Sequence, residues 1–168
     1  CDADIIAALY EASAAGVKIE LIVRGICCLK VGMAGISENI TVHSIVGNFL
    51  EHSRIFYFYN DGYEDIYMGS ADWMPRNLDK RVEILFPVEA ENLKERIKHI
   101  LDIQLNDNVK TRIKLPDGSY QHISPYGSKP LNSQEYFCKE AVSNTKKFKK
   151  EKNAARVFEP MENPDLLM

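Results

Sequence analysis

The stretch GNFLEHSRIFYFYNDGYEDIYMGSADWMPRN, residues 47–77, decides how the rest of this chain is read. Its centre, RIFYFY (54–59), is rich in β-prone aromatic residues, and Asn60-Asp61-Gly62 after it signals a tight hairpin turn. Residues 65–70 return as the partner strand. The same stretch holds His52, Arg54, Ser70, Asp72, Arg76 and Asn77. In an extended chain residues i and i+2 share a face. That spacing sets His52 beside Arg54 with Ser53 turned away, and pairs Ser70 with Asp72 if the return strand continues. A cation beside an imidazole, with a hydroxyl and a carboxylate nearby, suits phosphate handling. A solvated β-ribbon with ordinary surface polar residues is the plainer alternative.

The rest of the chain bounds what that stretch can belong to. With 168 residues, 45% of them hydrophobic and 27% charged, the chain can form one domain with a real core. A net charge of −3 gives no global basic field, so nucleic acid is not an expected partner, although a few arginines can still make a local anion site. Cys1, Cys27, Cys28 and Cys138 include no CxxC pair that suggests zinc. Cys27 and Cys28 are adjacent, which disfavours an ordinary disulfide between them, and a reduced, cytoplasmic setting is expected. There is no 18-residue apolar run and no basic-then-apolar leader. The chain opens CDADII without an initiating Met, as a piece of a longer polypeptide would.

Upstream, Asp2 or Asp4 is placed to cap a helix with Ile5, Leu9 and Ala12 on one face and Gly16 as its stop. Residues 17–23 (VKIELIV) read as a buried strand, so the chain begins as an α/β fold. Arg24 follows at that strand's carboxyl end, where open α/β sheets gather ligands. It could grip an anion bidentately or be a turn cation. Residues 26–37 form a Gly-containing loop that matches neither GxxxxGK[ST] nor GxGxxG. Residues 39–45 read as a strand whose His43 is a packed or surface residue, and 46–51 as a short helical turn. The aromatics Phe56, Tyr57, Phe58 and Tyr59 are expected to fill the core rather than stack on bases.

Residues 81–88 (RVEILFPV) read as a further strand ending near Pro87, and 89–105 as a helix with Leu93, Ile97, Ile100, Leu101 and Gln104 on one stripe. Residues 110–122 form a hairpin across Pro116-Asp117-Gly118, with His122 a polar strand-end residue. A last helix is expected over 133–142. Beyond it, 143–168 reads as a flexible lysine-rich tail carrying Lys146, Lys147, Lys149, Lys150 and Lys152, either solvated or in contact with a phosphate polymer.

His52-Ser53-Arg54 followed by Gly69-Ser70-Ala71-Asp72 resembles one half of the phospholipase D superfamily motif, HxK…GSxN. It departs in having Arg54 for Lys, Asp72 for Asn, and Tyr59 at the offset of the motif's intervening Asp. The segments LYEASAAGVKIELIVRGICCL (9–29), SIVGNFLEHSRI (44–55) and MGSADWMPRNLDKRVEILFPV (68–88) closely resemble the C-terminal catalytic domain of the bacterial polyphosphate kinase family, the long-chain-synthesising type. LPDGSY (115–120) extends the resemblance, which runs over roughly 5–142.

The resemblance implies an α/β, phospholipase D-like mixed sheet flanked by helices over 1–142. It also implies a reaction: the terminal phosphate of ATP passes to a histidine and then to polyphosphate, reversibly. In the family that histidine lies in the preceding domain, the last of the four domains being the one matched here. The magnesium contacts also lie upstream, so no metal ligand is expected in this chain. Arg24 and His52 correspond to the family's ATP-phosphate site. Arg54 would support phosphate binding, His52 would act as acid/base, and Ser70 and Asp72 would orient the histidine or the phosphate. The partners implied are ATP or ADP, polyphosphate, the upstream domains and other copies of the full-length protein, which could associate peripherally with a membrane. Two other readings are open: a phospholipase D-like phosphodiesterase or nuclease assembled as a homodimer, and a non-catalytic polyphosphate-binding module.

Overall fold

The fold was analysed in a computed structural model that describes residues 1–151, with side chains described as far as Thr145. The Asp2 carboxylate accepts the Ile5 amide at 3.0 Å and caps helix α1 (Ala3–Ala14). Gly16 ends it at φ +92°, a conformation that a side chain would strain. Strand β1 (Ile19–Ile22) then runs parallel to β2 (Ile40–Ile45). Strands β3 (Ile55–Phe58), β4 (Asp65–Gly69) and β5 (Leu85–Pro87) form a separate antiparallel sheet, with the short helix α2 (Pro75–Leu78) between β4 and β5. Helix α3 (Glu91–Leu105) follows. The hairpin of β6 (Thr111–Lys114) and β7 (Tyr120–His122) returns to the first sheet, giving the order β1-β2-β6-β7. Helix α4 (Ser133–Glu151) ends the described chain.

Two apolar clusters hold these layers. Leu29, Val31, Ile40 and Val42 are buried against Ile6, Leu9 and Tyr10 of α1 and against β1, so α1 covers the mixed sheet. Ile66, Val88 and Ile97 are buried with Ile55, Met68 and Leu101, so α3 covers one face of the antiparallel sheet. The chain divides into one compact unit over Cys1–Gln134 and another over Glu135–Met168. Within the second, the Tyr136 and Phe137 rings meet edge to face at 5.6 Å and Lys139 lies 3.8 Å from Glu135.

Several expectations change. Residues 46–51 are not helical. The Gln134 side chain takes the place of helical hydrogen bonds there: Oε1 accepts the Phe49 amide at 3.0 Å and Nε2 donates to the Phe49 carbonyl at 2.7 Å. A Cβ on Gly47 would overlap that amide, so a side chain there would push the Gln134 end group aside. The turn after β3 is not a two-residue hairpin but a longer loop with one 3-10 turn at Asn60–Gly62 and positive φ at Asn60, Asp61 and Glu64. The aromatics of β3 do not all fill a core. Phe58 is 53% exposed, because it lies on the face of edge strand β3 that no helix among the described residues covers, and Tyr59, just past the strand, is 66% exposed. That face instead forms an open apolar groove with Phe56 stacked on Trp73 at 5.1 Å. Helix α4 runs past Val142 to Glu151, so the first lysines of the run lie on a helix; Lys152 and the rest of the expected tail fall outside the described residues.

Asp107 ties the end of α3 to the residues leading into β6 and to Ser133. Its Oδ1 accepts the amides of Val109 (2.9 Å) and Lys110 (2.7 Å), and its Oδ2 accepts the amide (2.8 Å) and hydroxyl (2.7 Å) of Ser133. Burial opposes ionisation, but the donors from Lys110, Ser133 and Val109 outweigh it and hold the carboxyl below its usual range. Asp107→Ala leaves four donors without this acceptor in a buried place, and is expected to cost about 3–5 kcal/mol in urea unfolding. A folded pKa below the unfolded one adds stability above about pH 4 that is lost as pH falls through the folded value. Asp107→Asn should therefore flatten the acid limb of the stability curve, and an unchanged limb would show that another carboxylate carries it.

Candidate active site

Arg24 stands two residues past β1, where the amide of Val23 still bonds to the His43 carbonyl at 2.8 Å. The sheet thereby fixes the backbone that carries the guanidinium. His52 and Arg54 lie just before β3 in irregular chain, not in a strand. Their adjacency survives all the same. Arg54 Nη1 lies 2.9 Å from His52 Nδ1 and 3.3 Å from Nε2, and donates to the His52 carbonyl at 3.0 Å. Upstream, the Glu51 carboxylate accepts from Gln134 Nε2 (2.7 Å) and Gln104 Nε2 (2.8 Å), which anchors the residue next to His52.

Asp72 joins the two arginines. Arg24 Nη2 donates to Asp72 Oδ1 at 3.3 Å and Oδ2 at 3.2 Å, while Arg54 Nε and Nη2 both lie 3.2 Å from Oδ1. Burial disfavours the charged carboxylate, but Arg54 and Arg24 together overcome this and hold Asp72 below the usual carboxylate range. The Arg24 and Arg54 side chains are 28% and 16% exposed, so this is not a freely solvated surface pair. Arg24 Nη1 is buried and has no protein acceptor among the described residues. Two guanidinium charges against one carboxylate leave the cluster positive, with a donor to spare. Such a cluster can hold a phosphate and place its oxygens beside His52.

Ser70 does not join this group. Strand β4 ends at Gly69, so the alternation that would pair Ser70 with Asp72 stops short. The Ser70 hydroxyl donates instead to Glu83 Oε2 and accepts the Ile84 amide at 2.9 Å. Asn77, buried in α2, donates to Glu83 Oε1 at 3.2 Å. Ser70, Asn77 and Glu83 thus brace the loop that presents Asp72, beginning and ending at the antiparallel sheet. Glu83 is the residue that sequence reasoning passed over. It sat inside an apparent strand, and its only signal was a lone carboxylate in RVEILFPV. Of the other histidines, His43 is buried on β2 with neither ring nitrogen bonded, and His122 Nε2 lies 2.8 Å from the Val109 carbonyl. Burial pushes the His43 pKa down, with smaller effects from Glu20 and Lys18.

Asp72 is committed to two guanidinium groups, and among the described residues no three His, Cys, Asp or Glu side chains cluster so as to hold a metal ion. Nor is any helix among the described residues long and apolar enough to cross a membrane.

Residues 1–134 match the family model described as "Polyphosphate kinase C-terminal domain 2". A polyphosphate kinase of Staphylococcus saprophyticus is 53% identical over 157 residues, which is 94% of this chain and 22% of that protein. One of Pseudomonas aeruginosa is 55% identical over 134 residues, 79% of this chain and 19% of the relative. The crystal structure of polyphosphate kinase from Porphyromonas gingivalis superposes with a TM-score of 0.82 at 41% identity, covering 87% of this chain and 22% of that one. The chain thus spans only a minor part of the length of the proteins it matches.

Proposed function

The chain belongs to the polyphosphate kinase C-terminal domain 2 family, and from that premise we propose that it supplies the phosphate-binding half of an ATP:polyphosphate phosphotransferase site. The observation that carries the proposal is the continuous cluster Arg24–Asp72–Arg54–His52, with Arg24 Nη1 buried and bonded to no protein acceptor among the described residues. A buried donor left unpaired costs about 1–3 kcal/mol, and a phosphate oxygen offsets that cost on binding.

Phosphoryl transfer requires in-line placement and neutralisation of charge on the equatorial oxygens of the moving group. Arg24 and Arg54 supply that charge from fixed positions. Asp72 bonds both guanidinium groups, so they need not reorganise as charge shifts. His52, whose ring lies against Arg54, hydrogen-bonds the leaving oxygen or exchanges a proton with it. The nucleophile is a histidine of an upstream domain, which takes the terminal phosphate of ATP and passes it to the growing polyphosphate in a reversible reaction. Magnesium would be held by upstream residues and would neutralise charge on the nucleotide. The full-length enzyme works in the cytoplasm, as a homo-oligomer in which this domain faces its upstream neighbour.

The test compares this chain alone with the same chain rejoined to its upstream portion. ATP-dependent polyphosphate synthesis is expected only in the rejoined protein. Synthesis by the isolated chain would overturn the half-site reading, and ATP-independent cleavage of a phosphodiester would favour a phospholipase D-like hydrolase.

A further inference from the structure

Three features outside the site remain. His43 and Thr111 are buried with unbonded polar atoms, but nothing points to a ligand between them. The open groove beside Trp73 has no feature that says what covers it. The third feature is a pair of thiols, and it carries an inference.

Cys1 and Cys28 lie 27 positions apart in sequence, yet their Sγ atoms are 3.3 Å apart, and both residues are exposed. Two anchors make this meeting specific. The Asp2 amide donates to the Trp73 carbonyl at 3.1 Å, which fixes the start of α1 against the loop carrying Asp72. Lys114 Nζ donates to the Cys27 carbonyl at 2.5 Å, which fixes the segment leaving Arg24. In extended chain, neighbouring side chains point to opposite faces. Cys27 accordingly packs on the Leu29–Val42 core while Cys28 points outward to Cys1.

We infer that Cys1 and Cys28 form a redox modification site that closes to an intramolecular disulfide on exposure to a disulfide oxidant. A disulfide has its sulfurs about 2.05 Å apart, so the present contact closes by a shift of little more than 1 Å. One thiol loses its proton and attacks the oxidant's sulfur, giving a mixed disulfide and releasing one reduced thiol. The second cysteine then displaces the other half, also as a thiol. The protein gives up two electrons and two protons, and the oxidant's S–S bond accepts them. The bond would join the segment after Arg24 to the segment before α1 held by Trp73, the neighbour of Asp72. Two segments beside the site would thus be stapled without using a residue of the phosphate cluster.

The test treats the reduced chain, alone and rejoined to its upstream portion, with glutathione disulfide, blocks remaining thiols, and maps linkages by mass spectrometry without reduction. The expected product is a peptide joining Cys1 to Cys28. It should exceed any other protein disulfide by at least about tenfold, because thiols already in contact react at high effective concentration. Cys27→Ser should leave this link intact. Cys28→Ser should abolish it and leave glutathione on Cys1. Separate glutathione adducts on Cys1 and Cys28 in the unsubstituted chain, or a dominant link through Cys27 or Cys138, would overturn the inference. Loss of the link on rejoining the upstream portion would overturn it equally.

Discussion

Arg24→Ala, made in the protein with its upstream portion present, lowers ATP-dependent polyphosphate synthesis by at least about two orders of magnitude, on the scale of a lost charge-stabilising donor. That loss corresponds to about 2.7 kcal/mol of transition-state stabilisation. The reason lies in how the guanidinium is held. Nη2 spends its hydrogen bonds on Asp72, while Nη1 is buried with no protein acceptor among the described residues. The substitution removes that donor and a full positive charge, and leaves Asp72 neutralised by Arg54 alone. Arg24→Lys restores the charge but not the fork, so it should recover only part of the loss. Steady-state synthesis with ATP and chain-primer titrations measures both variants. Near-normal synthesis by Arg24→Ala would remove Arg24 from the phosphate site.

His52→Ala is expected to cause a loss of the same order by a different route, namely removal of the group that handles a proton or hydrogen-bonds the leaving oxygen. The ring is exposed, and its bonds run to Arg54. Removing it therefore opens no cavity and leaves no buried group unpaired, so folding stability should change by no more than about 0.5 kcal/mol. That contrast makes the experiment decisive. A variant with an unchanged unfolding midpoint and a hundredfold slower synthesis has lost chemistry, whereas a variant slowed only by instability recovers at lower temperature. Unimpaired synthesis by His52→Ala would take the acid/base role away from this residue.

The two substitutions also probe different parts of what the sequence revealed. His52 and Arg54 are two residues apart, so their meeting could be read from spacing, and it persists even though they lie outside the strand assumed for them. Arg24 and Asp72 are 48 positions apart, and no local pattern joins them. Asp72 was legible as a supporting residue through its spacing from Ser70 and its resemblance to a motif position. Its actual task, bridging two arginines, depends on β1 and the loop after β4 arriving at one place. Ser70 shows the opposite outcome. Its motif position suggested a partner in Asp72, but the end of β4 at Gly69 turned its hydroxyl to Glu83.

The sequence by itself determined the elements whose signals are local. The Asp2 cap and Gly16 stop bound α1, the apolar stripe marks α3, and Pro116-Asp117-Gly118 turns β6 into β7. Each depends on hydrogen bonds and side-chain periodicity within a few residues, so each is written where it acts. Only the tertiary structure decided the matters that depend on distant partners. Gln134 kept residues 46–51 out of a helix by bonding Phe49 from 85 positions away. The edge position of β3 left Phe58 exposed, because no helix among the described residues covers that face. The pairing of Asp72 with both arginines belongs to the same class: a carboxylate is neutralised by whichever cations the fold brings within reach, and reach in space is not distance along the chain.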